Sequence, residues 1–372
     1  MIRLAGPATA SRKAPVPCIL VTGALGSGKT TLIRALLREP EMAGTVLVIN
    51  EFGEVGIDDR LVASAVESTV LMENGCLCCS LRGDVVDAVG GLLGAAARGE
   101  IPPFRRILIE TTGLADPAPI LQDLAAARSL EGRVAVEAVV TTVDALLAQP
   151  GPAMGAVALS QIAQADLCLM TKCDLADPLV VDGLRDALGA INPLMAIHEV
   201  RGGRLPPGLA EELRRRRATA AVPVCDAVAD AAGAVSAHGV RPKDGAPAPF
   251  RHDSVASWSI ELDRPLPWPL LRDWFRLLYS LRPADILRLK AVLDVEGRDR
   301  PVVVQAVGPV FDPPSELEAW PPGARRGGLV VIARGLEPAA IGRSFTEEVL
   351  DRAGAEGIRA EPPPAGAGAA GR

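Results

Sequence analysis

Gly23-Ala24-Leu25-Gly26-Ser27-Gly28-Lys29-Thr30 fits the pattern G-x-x-x-x-G-K-[ST] without a mismatch, and it stands between an apolar run, Cys18–Thr22, and a helix-forming stretch, Lys29–Arg38. A glycine-rich loop of this kind needs a buried strand that feeds directly into a helix. Only then do its backbone N–H groups and the helix N-terminus converge on one anion. The chain after it keeps that alternation. Apolar runs at Val46–Asn50, Val70–Met72, Ile107–Glu110, Val136–Val143, Leu167–Thr171 and Met195–Val200 read as strands. Helices are expected over Leu81–Arg98, Ile120–Arg128 and Val180–Ile191. Strands rich in Val, Ile and Leu and separated by helices imply a mostly parallel sheet covered by helices on both faces, with ligands at the carboxyl ends of the strands.

The fold class is therefore α/β, a P-loop NTPase architecture, over residues 16–217. Aromatic residues mark a second unit: only Phe52 and Phe104 precede position 250, and the other nine lie between Phe250 and Phe345. Val255–Leu262, Ile286–Val295, Val302–Val307 and Leu329–Ala333 read as strands, with helices at Pro267–Leu281 and Pro338–Arg352. Grouped strands with few helices predict a smaller α+β domain over residues 250–353. Residues 218–249, rich in Ala, Gly and Pro, are expected to link the two. Residues 1–15 and 354–372 are expected to be a flexible N-terminus and a disordered tail.

Within the loop, Gly23, Gly26, Ser27, Gly28, Lys29, Thr30 and Thr31 form the phosphate cradle. Lys29 would contact the β- and γ-phosphates and the Thr30 hydroxyl would ligate Mg²⁺. Glu110 ends a buried strand, the place of a Walker B acid that holds Mg²⁺ through water or orients the attacking water. Gly113 suits a backbone contact to the γ-phosphate. Thr171-Lys172-Cys173-Asp174 follows an apolar strand and is similar to the guanine-reading N-K-x-D signature. Asp174 can accept both N1–H and N2–H of guanine, a pair adenine lacks, and Lys172 can lie along the base. Thr171 replaces the usual Asn, which predicts a weaker tether to the phosphate loop.

The second chemical cluster is Glu73-Asn74-Gly75-Cys76-Leu77-Cys78-Cys79. C-x-C-C is too tight for one isolated closed zinc site, so three thiolates leave a position open or take a fourth ligand from elsewhere. The expected helix at Leu81–Arg98 would place these cysteines at its N-terminal approach and lower their pKa. Thiolates suit Zn²⁺, Cu(I) or Co²⁺ far better than Mg²⁺. A structural metal site and a vicinal redox pair are the other readings of the same spacing. Asn50–Asp58 follows the second strand, where a nucleotide-sensing switch belongs, and its carboxylates could approach both metals.

Composition narrows the partners. Net charge is -6 with no broad basic excess, against nucleic acid as the main partner, and Arg214–Arg217 reads as a solvated helix end. Residues 1–15 carry no apolar stretch of signal-peptide length, and no run approaches 18 apolar residues, so the expectation is a cytoplasmic protein without a membrane partner. Cys18 and Cys168 sit in apolar strands and are expected to be packing residues; His198 and His252 are expected to be structural or surface residues.

Together, GALGSGKTT, INEFGEVGID, ENGCLCC, IETTGLADP and TKCD, followed by LRLKAV, PVVVQAV and RGGLVVIARGL, closely resemble the CobW-type family of metal-handling P-loop GTPases, over roughly residues 16–350. The resemblance implies GTP hydrolysis, metal held at Cys76, Cys78 and Cys79 with Glu54 as an auxiliary ligand, and transfer to a client metalloprotein. Zinc is the expected cargo, with Co²⁺ for cobalamin synthesis as the alternative. A metal-sensing regulatory switch and a small-molecule kinase are the readings from other classes. The chain departs from the family in having no His-rich segment between the domains and no histidine in Gln305–Pro309.

Overall fold

The structure, a computed structural model, describes residues 14–50, 67–71, 77–81, 84–148, 154–219, 254–320 and 327–355. Two sheets organise it. The first holds β1 (Val16–Gly23), β2 (Thr45–Asn50), β3 (Glu67–Leu71), β4 (Leu77–Leu81), β5 (Arg106–Thr111), β6 (Val134–Asp144), β7 (Leu167–Thr171) and β8 (Ala196–Glu199), in the order β3-β4-β2-β5-β1-β6-β7-β8. Every pairing is parallel except β3 with β4. Strands β5 and β7 are buried along their whole length, as a parallel sheet covered on both faces requires.

Helices α1 (Lys29–Leu36), α2 (Val85–Arg98), α3 (Pro117–Ala126), α4 (Gly155–Gln164), α5 (Pro178–Ile191) and α6 (Leu209–Thr219) surround this sheet. Their starts are written in the sequence: Asp84, Asp116 and Asp177 each accept a hydrogen bond from the second N–H of the helix that follows, and Pro117 and Pro178 occupy a first position that needs no donor. Leu32, Ile33 and Leu36 of α1 pack with Leu209 and Leu213 of α6 on one face, and Val89 and Leu92 of α2 with Leu121 and Leu124 of α3 on the other.

Three expectations change. The helix expected from Leu81 starts at Val85, capped by Asp84, and the residues before it are β4, hydrogen-bonded to β2 with Leu47 opposite Cys78 and Val48 opposite Cys79. Cys78 and Cys79 therefore lie in a strand, and the helix begins six residues after Cys79. Helix α4 was not expected, whereas α6 carries the helix end expected at Arg214–Arg217. Finally, α6 runs to Thr219 and a helical turn reaches Ala355, so two residues assigned to the linker and two assigned to the tail are helical. The remaining linker and tail, the N-terminal 13 residues, His238 and His252 lie outside the described residues.

The second sheet is antiparallel: β12 (Val310–Phe311), β11 (Val302–Val307), β10 (Ile286–Leu293), β14 (Gly327–Arg334) and β9 (Val255–Leu262), with β13 (Ser315–Glu316) beside β11. Its outer face packs on α7 (Trp268–Leu281) and α8 (Pro338–Phe345), where Trp274 meets Phe345 edge-on at 4.9 Å between centroids. A π-helical turn, Thr346–Asp351, continues α8. The inner face, through Leu287, Val292, Val330 and Ile332, shares one core with Ile162 and Ala163 of α4 and with Leu184 and Leu188 of α5.

Strand β10 is consequently buried on both faces, and two of its residues are cations. Arg288 and Lys290 are 3% and 2% exposed. Asp166, in the turn between α4 and β7, answers both: Arg288 forms an ion pair with it and donates to Gln164 O at 2.6 Å, and Lys290 Nζ lies 3.5 Å from Asp166 Oδ1. The second carboxylate oxygen accepts Val139 N–H at 2.9 Å. Removing one partner of such a buried set strands the others. Asp166→Asn should lower stability by about 3–5 kcal/mol in urea unfolding; a loss within about 0.5 kcal/mol, typical of a surface site, would show that the pairing carries no weight.

Candidate functional site

The chain leaves β1 at Gly23 with φ 134°, so close to β6 that a β-carbon there would lie 2.3 Å from Thr142 Oγ1. The loop that follows is held from several sides. Ser27 Oγ donates to Ala24 O at 2.7 Å and lies 2.5 Å from Thr142 Oγ1. Gly28, with φ 92°, caps α1 in a conformation that favours glycine. Lys29, 8% exposed, folds over its own loop and donates to Gly23 O at 2.7 Å and Ala24 O at 3.0 Å.

Thr30 Oγ1 donates to Glu110 Oε1 at 2.7 Å, although the residues are 80 positions apart. Glu110 is 7% exposed at the carboxyl end of β5, beside Val21 of β1. The pair presents two hard oxygens at one point, a donor set that fits Mg²⁺. Gly113 presses on the same loop: a β-carbon there would sit 2.4 Å from Leu25 N. Only glycine lets the backbone after β5 approach so closely.

The Thr171–Asp174 segment reaches the loop from the other side. Thr171 Oγ1 donates to Ser27 O at 2.8 Å, and its methyl carbon is the nearest atom to a β-carbon built at Gly28. The Thr hydroxyl thus supplies a direct bond to the phosphate loop in the place of the Asn side chain. Lys172 adopts φ 59° and donates to Gly26 O at 3.1 Å and to Asp144 Oδ2 at 2.5 Å. Asp174 is exposed, and its Oδ1 accepts Gly202 N–H at 2.9 Å. That bond, then its own N–H, hold the Asp174 carboxyl below its usual range, with Arg201 adding a smaller pull. A lowered pKa keeps the carboxylate charged at neutral pH; the charge is lost only as pH falls below the ordinary carboxylate range.

Asp144 and Gly202 belong to this site and were missed. Asp144, 6% exposed, ends β6 one residue beyond the expected strand, and Gly202 lies in an Arg-Gly-Gly-Arg turn after β8. A carboxylate at a strand's carboxyl end was the available signal. A cleft lined by Leu25, Thr142, Asp144, Leu147, Gln161 and Ile162 opens beside the loop, so α4 borders the nucleotide site.

The thiol motif is less completely described. Cys76, Glu54 and residues 51–58 lie outside the described residues, and Cys78 and Cys79 are placed only as strand positions in β4. Among the described residues no group of three or more His, Cys, Asp and Glu is arranged to hold a metal. Cys18 and Cys168 are fully buried, and burial pushes the Cys18 thiol up to about 12 and raises that of Cys168 also. They are packing residues, as expected. Cys173 is buried too, with Sγ 3.1 Å from Met170 O. His198 Nε2 lies 2.8 Å from Glu212 Oε2 of α6, a structural contact.

The Thr171 tether can be tested alone. Thr171→Val keeps the shape and leaves Ser27 O without its donor, which should weaken nucleotide binding by about 1 kcal/mol, roughly fivefold. Thr171→Ser should retain it. Equal affinities for wild type and Thr171→Val would show that the bond does not hold the loop.

Residues 17–199 match the CobW/HypB/UreG nucleotide-binding domain, and residues 255–348 match the cobalamin synthesis protein CobW C-terminal domain. The zinc chaperone YjiA of Escherichia coli is 37% identical over 195 residues, 52% of this chain and 60% of that protein. The zinc chaperone CobW of a Sinorhizobium species is 29% identical over 364 residues, covering 89% of this chain and 96% of its own. The crystal structure of the Zn(II)-bound YjiA GTPase from E. coli superposes with a TM-score of 0.68 at 27% identity, over 90% of this chain and 99% of that one. Among the described residues no helix is long and apolar enough to cross a membrane. With both matches in order along the chain, and each on one of the two sheets, the protein belongs to the CobW/HypB/UreG family of nucleotide-binding proteins and carries the CobW C-terminal domain.

Proposed function

We propose that the protein is a cytoplasmic GTP-hydrolysing metallochaperone that takes zinc at Cys76, Cys78 and Cys79, with Glu54 as an auxiliary ligand, and passes it to a client metalloprotein. One observation supports the linkage of the two chemistries above the rest. In the hydrogen-bonded rows of the first sheet, Ser80 pairs with Ile49 and Ile49 with Glu110. Cys79 therefore sits one residue before the row of Glu110 and two strands away, a backbone separation of about 10 Å. The strand between them, β2, leads directly into Asn50–Asp58. Any ordering of that segment around a γ-phosphate is transmitted beside the thiol strand. The relatives' description as zinc chaperones supports zinc as cargo.

GTP would enter with its phosphates on the N–H groups of Gly26–Thr31, and Lys29 would exchange the carbonyls of Gly23 and Ala24 for β- and γ-phosphate oxygens. Thr30 and Glu110 would hold Mg²⁺, which when bound would neutralise charge that develops on the phosphates. Glu110 also orients the attacking water, and the Gly113 N–H meets the γ-phosphate. Asp174 retains acceptor capacity beyond its bond to Gly202, so it can take both N1–H and N2–H of guanine. Lys172, braced by Gly26 O and Asp144, lies against the base.

The variants separate these roles. Asp174→Asn should lose GTP affinity and gain relatively for xanthosine nucleotides, whose C2 carbonyl accepts from the new amide. Lys29→Ala should weaken nucleotide binding or turnover, and Glu110→Gln should bind GTP but hydrolyse it slower by roughly two orders of magnitude. Cys78→Ser should abolish tight zinc binding and leave GTP binding intact. Equal wild-type affinity for ATP and GTP, a wild-type rate in Glu110→Gln, or undiminished zinc binding in Cys78→Ser would each contradict the assigned role.

A further inference from the structure

Helix α4 was invisible in the sequence, and it carries three polar side chains that are almost fully buried: Ser160, Gln161 and Gln164 are 0%, 1% and 0% exposed. Burying such groups is unfavourable unless each finds a partner. Their partners converge on the turn after β5. Gln161 Nε2 donates to Ala115 O at 3.0 Å; Ser160 Oγ and Gln164 Nε2 donate to Asp116 Oδ1 at 2.9 and 3.1 Å. From the second sheet, Arg334 at the end of β14 donates to Ser160 Oγ at 3.0 Å and pairs with Asp116 Oδ2 at 3.5 Å.

Asp116 is three residues from Gly113, which touches Leu25 of the phosphate loop. The intervening backbone is short and internally bonded: Leu114 N–H reaches Thr112 Oγ1 at 3.3 Å and Ala115 N–H reaches Thr112 O at 3.2 Å. Three residues span at most about 10 Å, and the two bonds to Thr112 tie them to the turn, so a shift of Asp116 has a short, braced path to Gly113. We propose that Arg334 is a positioning residue for nucleotide hydrolysis: by holding Asp116 against Ser160, it fixes the backbone at residues 112–116 and so the Gly113 N–H over the phosphate loop. The second sheet thereby becomes part of the hydrolytic apparatus, and an occupant of that sheet which moves Arg334 alters turnover through the same contact.

Attachment of the two units alone does not account for this contact. Their junction is already closed by the shared apolar core and by Asp166 with Arg288 and Lys290. Arg334 instead reaches the one turn that bears Gly113. Its backbone is independently anchored, with Arg334 N–H on Asp285 O at 2.7 Å and Gly335 N–H on Ser254 O at 2.8 Å, so its side chain starts from a fixed point.

The inference rests on the proposed GTP hydrolysis and is tested in the full-length protein by two independent readouts. Arg334→Gln should lower kcat for GTP roughly three- to thirtyfold with a smaller change in KM, because the contacts of Gly26–Thr31 and Asp174 that carry most of the ground-state binding are untouched and only the Gly113 contact is loosened. Arg334→Lys, which keeps the charge, should recover part of the rate. Asp116→Asn keeps the acceptor that caps α3 and should show a similar loss, and the double variant should be no slower than the worse single one. In parallel, amide hydrogen exchange with a non-hydrolysable GTP analogue should accelerate at residues 112–118 in Arg334→Gln, with the exchange of β10 and β14 unchanged. Wild-type kcat in both single variants, losses that multiply in the double variant, or unchanged exchange at 112–118 would overturn the proposal. Absence of GTP turnover in the wild type would refute the hydrolytic reading itself, and the exchange measurement would still judge the clamp. If Arg334→Gln does not fold, Arg334→Lys and Asp116→Asn give the same readouts.

Discussion

The approach of Gly23 to Thr142 sets the geometry on which the nucleotide site depends. A strand in the middle of a parallel sheet must turn sharply at its carboxyl end to feed a helix, and here it does so in contact with the neighbouring strand. Because no side chain intervenes, Ser27 can reach Thr142, Lys29 can reach the carbonyls it must guard, and Thr30 can reach Glu110. Thr171 then fastens the loop from β7. A larger residue at position 23 would push the loop off β6 and disperse groups that lie far apart in sequence.

A second constraint comes from the antiparallel sheet, whose strand β10 is covered on both faces. Arg288 and Lys290 can be buried there only because Asp166 meets both and itself accepts a backbone N–H. Such a set gains little over an apolar pairing of the same shape, but it penalises any other docking of the two sheets by leaving buried charge unanswered. It fixes where β14 ends relative to α4, and thus places Arg334 beside Asp116.

Legibility followed local physical signals. Strands β1, β5 and β7 are uninterrupted apolar runs, and the phosphate loop, Glu110, Gly113 and Asp174 follow strand ends, so they could be read directly. Helix α4 could not, because Ser160, Gln161 and Gln164 break its apolar face for partners that exist only after folding. A helix from Leu81 leaves Cys78 and Cys79 outside any strand; Asp84, an N-cap residue, is the cue that the helix begins later, which frees Leu77–Leu81 to pair with β2. The bond from Thr171 to Ser27 is not legible in the motif because replacement of Asn removes an amide but keeps a donor of suitable reach. Interdomain contacts such as Arg334 with Asp116 link residues more than 200 positions apart and leave no periodic trace.

In the proposed function nucleotide and zinc occupy one linked system, with β2 between the Glu110 strand and the thiol strand. Zinc titrations with Mg²⁺ and a non-hydrolysable GTP analogue, with GDP, and without nucleotide test it most directly. The account predicts tighter zinc binding with the analogue by roughly 5–150-fold, and tightening of the analogue by zinc by the same factor. Identical zinc affinities in all three states would contradict it and leave a structural metal site beside an independent GTPase.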